Sequence, residues 1–306
     1  MCLQKESKCE NQECLKLAPI DVKEIDLDRG DWLGCGNYGV IYKGYFQGTK
    51  VAVKEIPIHT TQKEEVSEVV SYEMRALHGI KHPNLVQYIG YALTKERGDW
   101  YLLLLLEYID GNYLDQILYD QNLKQKFNMT PSAKCRIFIN IALALTYLHD
   151  PQRQVVHGDV KPANIMISKS GKVKLCDLGM IKMKHFSKLF FKECVISHGS
   201  PAYMAPEQLL EGKASSTYTD VYAFGLTLYE IFHEEPICKE DNLGDLKKRL
   251  RSKNFPGKLM KKHDDKYYNL IVQCLQQEPS NRPEAMQILT LLNTLTEDMK
   301  PKLESK

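Results

Sequence analysis

The chain has 306 residues, 43% hydrophobic and 26% charged, with 41 Lys and Arg set against 39 Asp and Glu. That near balance excludes the strongly basic composition of a nucleic-acid binder or a protein held on anionic lipid, and neither partner is expected. Nine cysteines, without a CxxC pair or a His cluster at metal spacing, make an odd set that fits a reducing compartment better than a disulfide framework.

Residues 1–19 are polar, lack a signal-peptide core and end at Pro19; they are expected to form a flexible N-terminal extension. The longest purely apolar run, Leu102 to Leu106, falls far short of the roughly 20 residues that span a bilayer, so a cytoplasmic chain without a transmembrane segment is expected. From Ile20 to about Glu107, β-type runs dominate: "GVIYKGYF", "TKVAVKEIPI", "LVQYIGYAL" and "WYLLLLLEYI". One helix interrupts them, where Val66, Val69, Val70, Met74 and Leu77 recur at spacings of three and four. After "DGN" the pattern changes. "YLDQILYDQNL", "SAKCRIFINIALALTYLHD", "TDVYAFGLTLYEIFH", "YYNLIVQCLQ" and "RPEAMQILTLLNTL" read as helices, with short strands at "NIMIS" and "KVKLCD" around the turn "SKSGK". A strand-rich lobe followed by a larger helical lobe is expected, and a cleft between two lobes is a common ligand site.

"GCGNYGVI" sets Gly34, Gly36 and Gly39 in a G-x-G-x-x-G frame. Such glycines let a backbone approach phosphate oxygens, but dinucleotide folds and ordinary hairpin turns use the same string. A dinucleotide site needs a helix directly after the glycines. Here "VIYKGYFQGTKVAVKEI" reads as strand, turn and strand, so the glycines cap a hairpin that can fold over a nucleotide. The second strand carries Lys54, with Ala52 on the same face. A lysine held among apolar residues needs a counter-charge. Glu73, beside the apolar stripe of the helix, is chosen over Glu68; Glu64 and Glu65 read as solvated.

"HGDVKPAN", His157 to Asn164, groups an imidazole, a carboxylate, an ammonium and a carboxamide between an apolar helix and a strand. "DLG" at Asp177–Gly179 and "APE" at Ala205–Glu207 follow. With "GCGNYGVI" and "VAVK" these strings, in this order, resemble the signature of the eukaryotic protein kinases, over about residues 20–297. The resemblance implies an α+β bilobal fold, with a small β-rich N-lobe carrying one helix (about 20–108), a helical C-lobe (about 109–297) and a short polar tail at 298–306.

By that resemblance Asp159 orients the substrate hydroxyl and accepts its proton, and Lys161 steadies the γ-phosphate. Asn164 and Asp177 hold Mg²⁺, with Mn²⁺ as an alternative, and Lys54 paired with Glu73 meets the α- and β-phosphates of ATP. The turn residues Gly34, Cys35, Gly36, Asn37, Tyr38 and Gly39 cover the nucleotide. Leu33, Ile41 and Ala52 lie above the adenine and Met166 below it; Leu106 is the gatekeeper, and backbone groups of Glu107 and Ile109 meet the adenine edge. His157 is expected to pack beneath the loop near Leu178, which replaces the Phe of D-F-G. Cys35 and Cys176 border the site as small fillers that can react with an electrophile. Asp220 and Arg282 resemble anchors of the helical lobe, Arg282 pairing with Glu207.

Gly158 stands where the family usually has Arg, a residue that couples activation-segment phosphate to loop order and does not touch the transferred group. Catalysis is therefore expected to survive, with activation not strictly dependent on phosphorylation. Ser187, Ser197, Ser200 and Tyr203 are candidate phosphosites, with Lys182, Lys184, Lys188 and Lys192 nearby in sequence. "KPAN" and "GSPAYMAPE" resemble the serine/threonine-specific pattern, and "HPNLVQYIGY" the tyrosine-kinase-like branch. The implied partners are ATP, protein substrates with Ser or Thr acceptors, and an upstream kinase or scaffold. Dual specificity, a pseudokinase scaffold or nucleotide-gated switch, and a small-metabolite kinase stay open as alternatives.

Overall fold

The computed structural model describes residues 18–36, 39–58, 70, 74, 77–96, 98–178, 200–237, 243–251 and 266–297. Expectations resting on Asn37, Tyr38, Glu68, Glu73, Gly179, Ser187, Ser197 and the lysines at 182, 184, 188 and 192 lie outside the described residues. The described residues up to Ile80, with Tyr88–Leu106, make one compact unit; Lys81–Gln87 and the described residues from Glu107 onward make the other. The fold is α+β, a β-rich unit followed by a larger helical one.

The first unit carries a five-stranded sheet of β1 (Ile25–Gly36), β2 (Gly39–Phe46), β3 (Thr49–Ile58), β4 (Tyr88–Glu96) and β5 (Asp99–Glu107), in the order β1-β2-β3-β5-β4. Alternation decides its faces. On β3, Val51 and Val53 turn to a core shared with Ile25, Ala92, Leu103 and Leu105, which leaves Ala52 and Lys54 on the opposite face. Burying side chains of this size contributes about 1.5–3 kcal/mol each before entropy is counted. The expected strands β2 and β3 form with the expected bounds. β1 escapes the sequence pattern because "IDLDRGDWLGCG" is rich in charge and glycine; antiparallel pairing with β2 holds it instead, through two register shifts. In the expected helix, Val70, Met74 and Leu77 are helical and buried, as their spacing predicts.

The second unit contains α1 (Leu114–Tyr119), α2 (Gln121–Phe127), α3 (Pro131–His149), α4 (Pro206–Leu209), α5 (Thr217–His233), α6 (Leu243–Arg251), α7 (Lys266–Cys274) and α8 (Ala285–Glu297). A small sheet of β6 (Gly111–Tyr113), β7 (Ile165–Ser168) and β8 (Val173–Leu175) accompanies them. The single helix expected over 113–123 is two. Asp120 is extended, and its carboxylate accepts from Asn122 N at 2.8 Å and Leu123 N at 3.0 Å, capping α2 and ending α1. Thr130 caps α3, with Pro131 at the first helical position. In α5 every residue from Thr219 to Ile231 is buried, which makes it the central helix of the unit, with α7 packed on it. α8 packs on α3. The unexpected α6 is mostly charged and buries only Leu246 and Leu250, one helical turn apart. No helix among the described residues is long and apolar enough to cross a membrane.

Candidate active site

The helical unit builds its polar centre on the first turn of α5. Asp220, 1% exposed, accepts from two successive amides: His157 N reaches Oδ2 at 2.7 Å and Gly158 N reaches Oδ1 at 2.8 Å. His149 Nε2, at the end of α3, also lies 2.8 Å from Oδ2. A carboxylate buried this deeply is costly unless it has hydrogen-bond partners, and these three groups supply them. Presenting both amides to one carboxylate goes with φ +82° at Gly158, a left-handed conformation that glycine adopts without steric cost. A Cβ there would meet only Ser215 Oγ at 3.8 Å, so backbone conformation and not space selects the glycine.

His157 is wholly buried; its Nδ1 accepts from Asp159 N at 3.3 Å and its Nε2 lies 2.9 Å from the Cys176 carbonyl. The neutral tautomer with hydrogen on Nε2 satisfies both partners, so the ring ties the loop to the segment before Asp177. This is the packing role expected for it, with two hydrogen bonds added. Leu178 is buried, as the hydrophobic replacement predicts.

Asp159, Lys161 and Asn164 form one cluster, each 8% exposed. Asp159 Oδ2 accepts from Asn164 Nδ2 at 2.8 Å and lies 2.7 Å from Lys161 Nζ. Asn164 Nδ2 also donates to the Asp159 carbonyl at 2.7 Å, a return made by the short 3-10 turn Pro162–Asn164. Ser200 completes the cluster: its amide donates to Asp159 Oδ1 at 3.1 Å, and its hydroxyl accepts from Lys161 Nζ at 2.6 Å. Sequence reasoning saw Ser200 only as a phosphosite; "GSPAY" gives no sign that both its polar groups serve the loop.

Cys176 N donates to the Asn164 carbonyl at 2.7 Å, bringing the start of "DLG" beside Asn164. Asp177 has φ +66°, uncommon for a residue with a side chain and typical of functional sites that hold strain. With the Asn164 amide hydrogens turned to Asp159, its carboxamide oxygen is the remaining ligand group. A carboxamide and a carboxylate suit a hard cation that keeps several waters. Among the described residues no group of three His, Cys, Asp or Glu side chains forms an all-protein metal cage. Burial pushes the Cys176 thiol well above the ordinary range, so it reads as a filler and not as a nucleophile. Cys35 is exposed.

At the start of the second unit, Glu107 N donates to Gln87 O at 2.9 Å. That bond engages the Glu107 N–H and, of the two Glu107 backbone groups expected at the adenine edge, leaves the carbonyl. The Glu107 carboxylate accepts from Gln87 N at 2.7 Å and Lys174 Nζ at 2.5 Å, an anchor that sequence reasoning missed because Lys174 reads as an ordinary strand lysine. Ile109 is half-buried, and Met166 pairs with Tyr113 across β7 and β6.

In the β-rich unit, Gly34 pairs with Ile41 and Ile41 with Lys54, so these three residues line one face, with Ala52 beside them. Gly36 pairs with Gly39 and Cys35 with Val40, closing the hairpin. Leu33 is the extra residue of a bulge between Trp32 and Gly34. Lys54 is only 3% exposed, whereas Leu106 is half-buried. The glycines differ in what demands them. At Gly39 a Cβ would sit 2.1 Å from the Glu55 carbonyl oxygen, so the sheet requires the glycine. At Gly34 nothing lies within 4 Å of a Cβ, so the fold leaves that space open.

Residues 27–291 match the protein kinase domain. The chain belongs to the protein kinase family. It is 30% identical over 286 residues to a probable serine/threonine-protein kinase of Dictyostelium discoideum, covering 93% of the chain and 30% of the relative. It is also 30% identical over 285 residues to the serine/threonine-protein kinase VIK of Arabidopsis thaliana, covering 92% of the chain and 62% of the relative. The dual specificity protein kinase shkC of D. discoideum is 26% identical over 276 residues, 90% of the chain and 52% of the relative. The chain thus spans less than two thirds of the length of these relatives. In the kinase domain the expected pair forms: Arg282 Nη1 and Nη2 meet the two Glu207 oxygens at 2.7 Å each, with both side chains buried.

Proposed function

We propose that the protein transfers the γ-phosphate of ATP to Ser or Thr hydroxyls of protein substrates. The observation that carries this is the closed cluster of Asp159, Lys161, Asn164 and Ser200: a buried carboxylate with its orienting donors, one bond away from the segment that carries Asp177. Asp159 positions the acceptor hydroxyl and takes its proton. Lys161, whose ammonium rests between Asp159 and Ser200, supplies positive charge toward the transferred group. Asn164 and Asp177 would hold a magnesium ion, which would neutralise phosphate charge when bound. In the β-rich unit, Lys54 is assigned to the α- and β-phosphates, with Glu73 as its counter-charge, and the open space at Gly34 accommodates close approach of a phosphate. The turn from Cys35 to Gly39, with Gly36, Asn37 and Tyr38, covers the nucleotide. Leu33, Ile41, Ala52, Leu106, Ile109, Met166 and the Glu107 carbonyl frame the adenine.

The kinase domain is assigned to residues 20–297, preceded by an N-terminal extension at 1–19. Gly158 supports activation without obligatory activation-segment phosphate, because Asp220 holds the loop in place through backbone amides alone. The similarity to shkC, a dual specificity protein kinase, supports a second reading, transfer to Tyr as well as Ser and Thr. One experiment tests these statements: transfer from Mg-ATP to a mixed Ser, Thr and Tyr peptide pool by phosphatase-treated protein and its Asp159→Asn variant. The expected result is transfer to Ser and Thr by the wild type and a rate about a thousandfold lower in the variant. Equal rates in the two proteins would overturn the assignment of Asp159. Nucleotide binding without transfer, before or after incubation with cell extract, would point to a scaffold.

A further inference from the structure

Away from the catalytic loop, the helical unit carries a groove of about 340 Å³ between the start of α3, the chain before it and the β7–β8 hairpin. Its floor is apolar: Ile137 and Val173 are each 2% exposed, and Phe127 and Met129 are half-buried beside them. Its rim is basic. Lys126 and Arg136 are exposed and line the groove, while a third rim lysine, Lys169, is already paired with Asp110 at 2.9 Å. Among the described residues, no ion pair or hydrogen bond engages the side chain of Lys126 or Arg136. The turn beneath Arg136 favours an open approach: Gly171 has φ +79°, and a Cβ there would lie 3.8 Å from Arg136 Nη2.

Nothing in the proposed phosphoryl transfer uses these residues. An apolar floor with two exposed cations on its rim fits a ligand with apolar anchors and negative charge beside them. The chain's own terminal stretches do not supply it. Residues 1–17 carry Lys5, Lys8 and Lys16 against Glu6, Glu10 and Glu13, and residues 298–306 carry three lysines against Asp298 and Glu304. We infer that this groove docks an acidic peptide segment of a partner protein, its aliphatic side chains on Ile137 and Val173 and its carboxylates on Lys126 and Arg136. Met129 suits such a role, since an unbranched thioether adapts to differing side chains.

The test uses the full chain and a fluorescein-labelled peptide of alternating leucine and glutamate, followed by anisotropy at low and physiological salt. Binding by the wild type, about tenfold weaker in the Lys126→Glu/Arg136→Glu double variant, is the expected result. The variant should gain affinity for the matching peptide of leucine and lysine. Both positions are exposed, and a thermal melt equal to wild type shows that the variant is folded. Failure of the leucine–glutamate peptide to bind, or binding equal in both proteins, would overturn the proposal. So would a groove occupied instead by a lipid surface or a second copy, seen as Arg136-dependent capture of phosphatidylserine vesicles or as Arg136-dependent self-association. Phosphoryl transfer to unrelated peptides should be the same in both proteins, so a failed docking test leaves the kinase assignment standing.

Discussion

Asp159 sits among donors from three places in the helical unit, whereas Gly34 in the hairpin of the β-rich unit has nothing within 4 Å of where a Cβ would be. The two regions prepare for a reaction in opposite ways. The loop is preorganised by polar partners: Asp220 fixes the backbone and His157 ties it to Cys176, while Ser200 orients the carboxylate and ammonium. On the proposed function, the hairpin is prepared by a missing side chain, which would make room for a phosphate that the fold itself does not supply. Damage to the loop should therefore appear in stability and turnover together, and damage at Gly34 in nucleotide affinity alone.

Asp220→Ala gives the largest expected effect on the fold. It leaves the amides of His157 and Gly158, and the ring of His149, without their acceptor in a buried site. We expect a loss of about 3 kcal/mol in urea denaturation, together with a fall in kcat. Turnover retained at wild-type level in the folded fraction would mean that Asp220 does not position the loop. The hairpin offers a matched pair next. Gly39→Ala drives a methyl group into the Glu55 carbonyl and should cost about 2 kcal/mol. Gly34→Ala should leave the melting temperature unchanged and raise KM for ATP. If both variants lose stability equally, the open space at Gly34 is structural and the contrast fails.

Gly158 tests the loop from within. Gly158→Ala keeps the Asp220 bonds but places a side chain at φ +82°, at a cost of about 1 kcal/mol. Gly158→Asn should cost less, because asparagine tolerates the left-handed region. Equal losses would show that something other than backbone conformation selects the glycine.

Much of this was legible in the sequence because it depends on local order. Strands β2 and β3 and helices α3 and α5 follow from the spacing of apolar residues, and the loop residues from the strings that carry them. What escaped depends on partners distant in the chain. β1 is held by its neighbour and not by its own pattern, and Lys174 matters only because the Glu107 carboxylate and the Leu85 carbonyl lie against it. Asp120 was read as part of one helix because the apolar pattern continues across it; its carboxylate caps α2 and interrupts that pattern. Ser200 shows the same limit, since no short-range signal announces a serine whose amide and hydroxyl turn to Asp159 and Lys161.

The anchoring of the loop side extends one step further, and its expected effect is the smallest. Tyr203, in the turn after Ser200, donates to Glu230 Oε2, and Tyr119 donates to Oε1 at 2.9 Å, with Ile237 N at 3.2 Å from the same oxygen. Burial of Glu230 raises its pKa above the ordinary carboxylate value near 4.5, against the lowering effect of those three donors. A carboxylate with a raised folded pKa binds more protons in the native state than in the unfolded chain. Its contribution to stability is therefore full at low pH and is lost as pH rises from about 4.5 through the raised value. Glu230→Gln keeps a neutral acceptor for one tyrosine and removes the titration. Urea midpoints measured across that window should fall with pH in the wild type by more than in the variant. Parallel curves would show that Glu230 stays ionised in the fold and that the tyrosines, with the Ile237 amide, fully offset its burial.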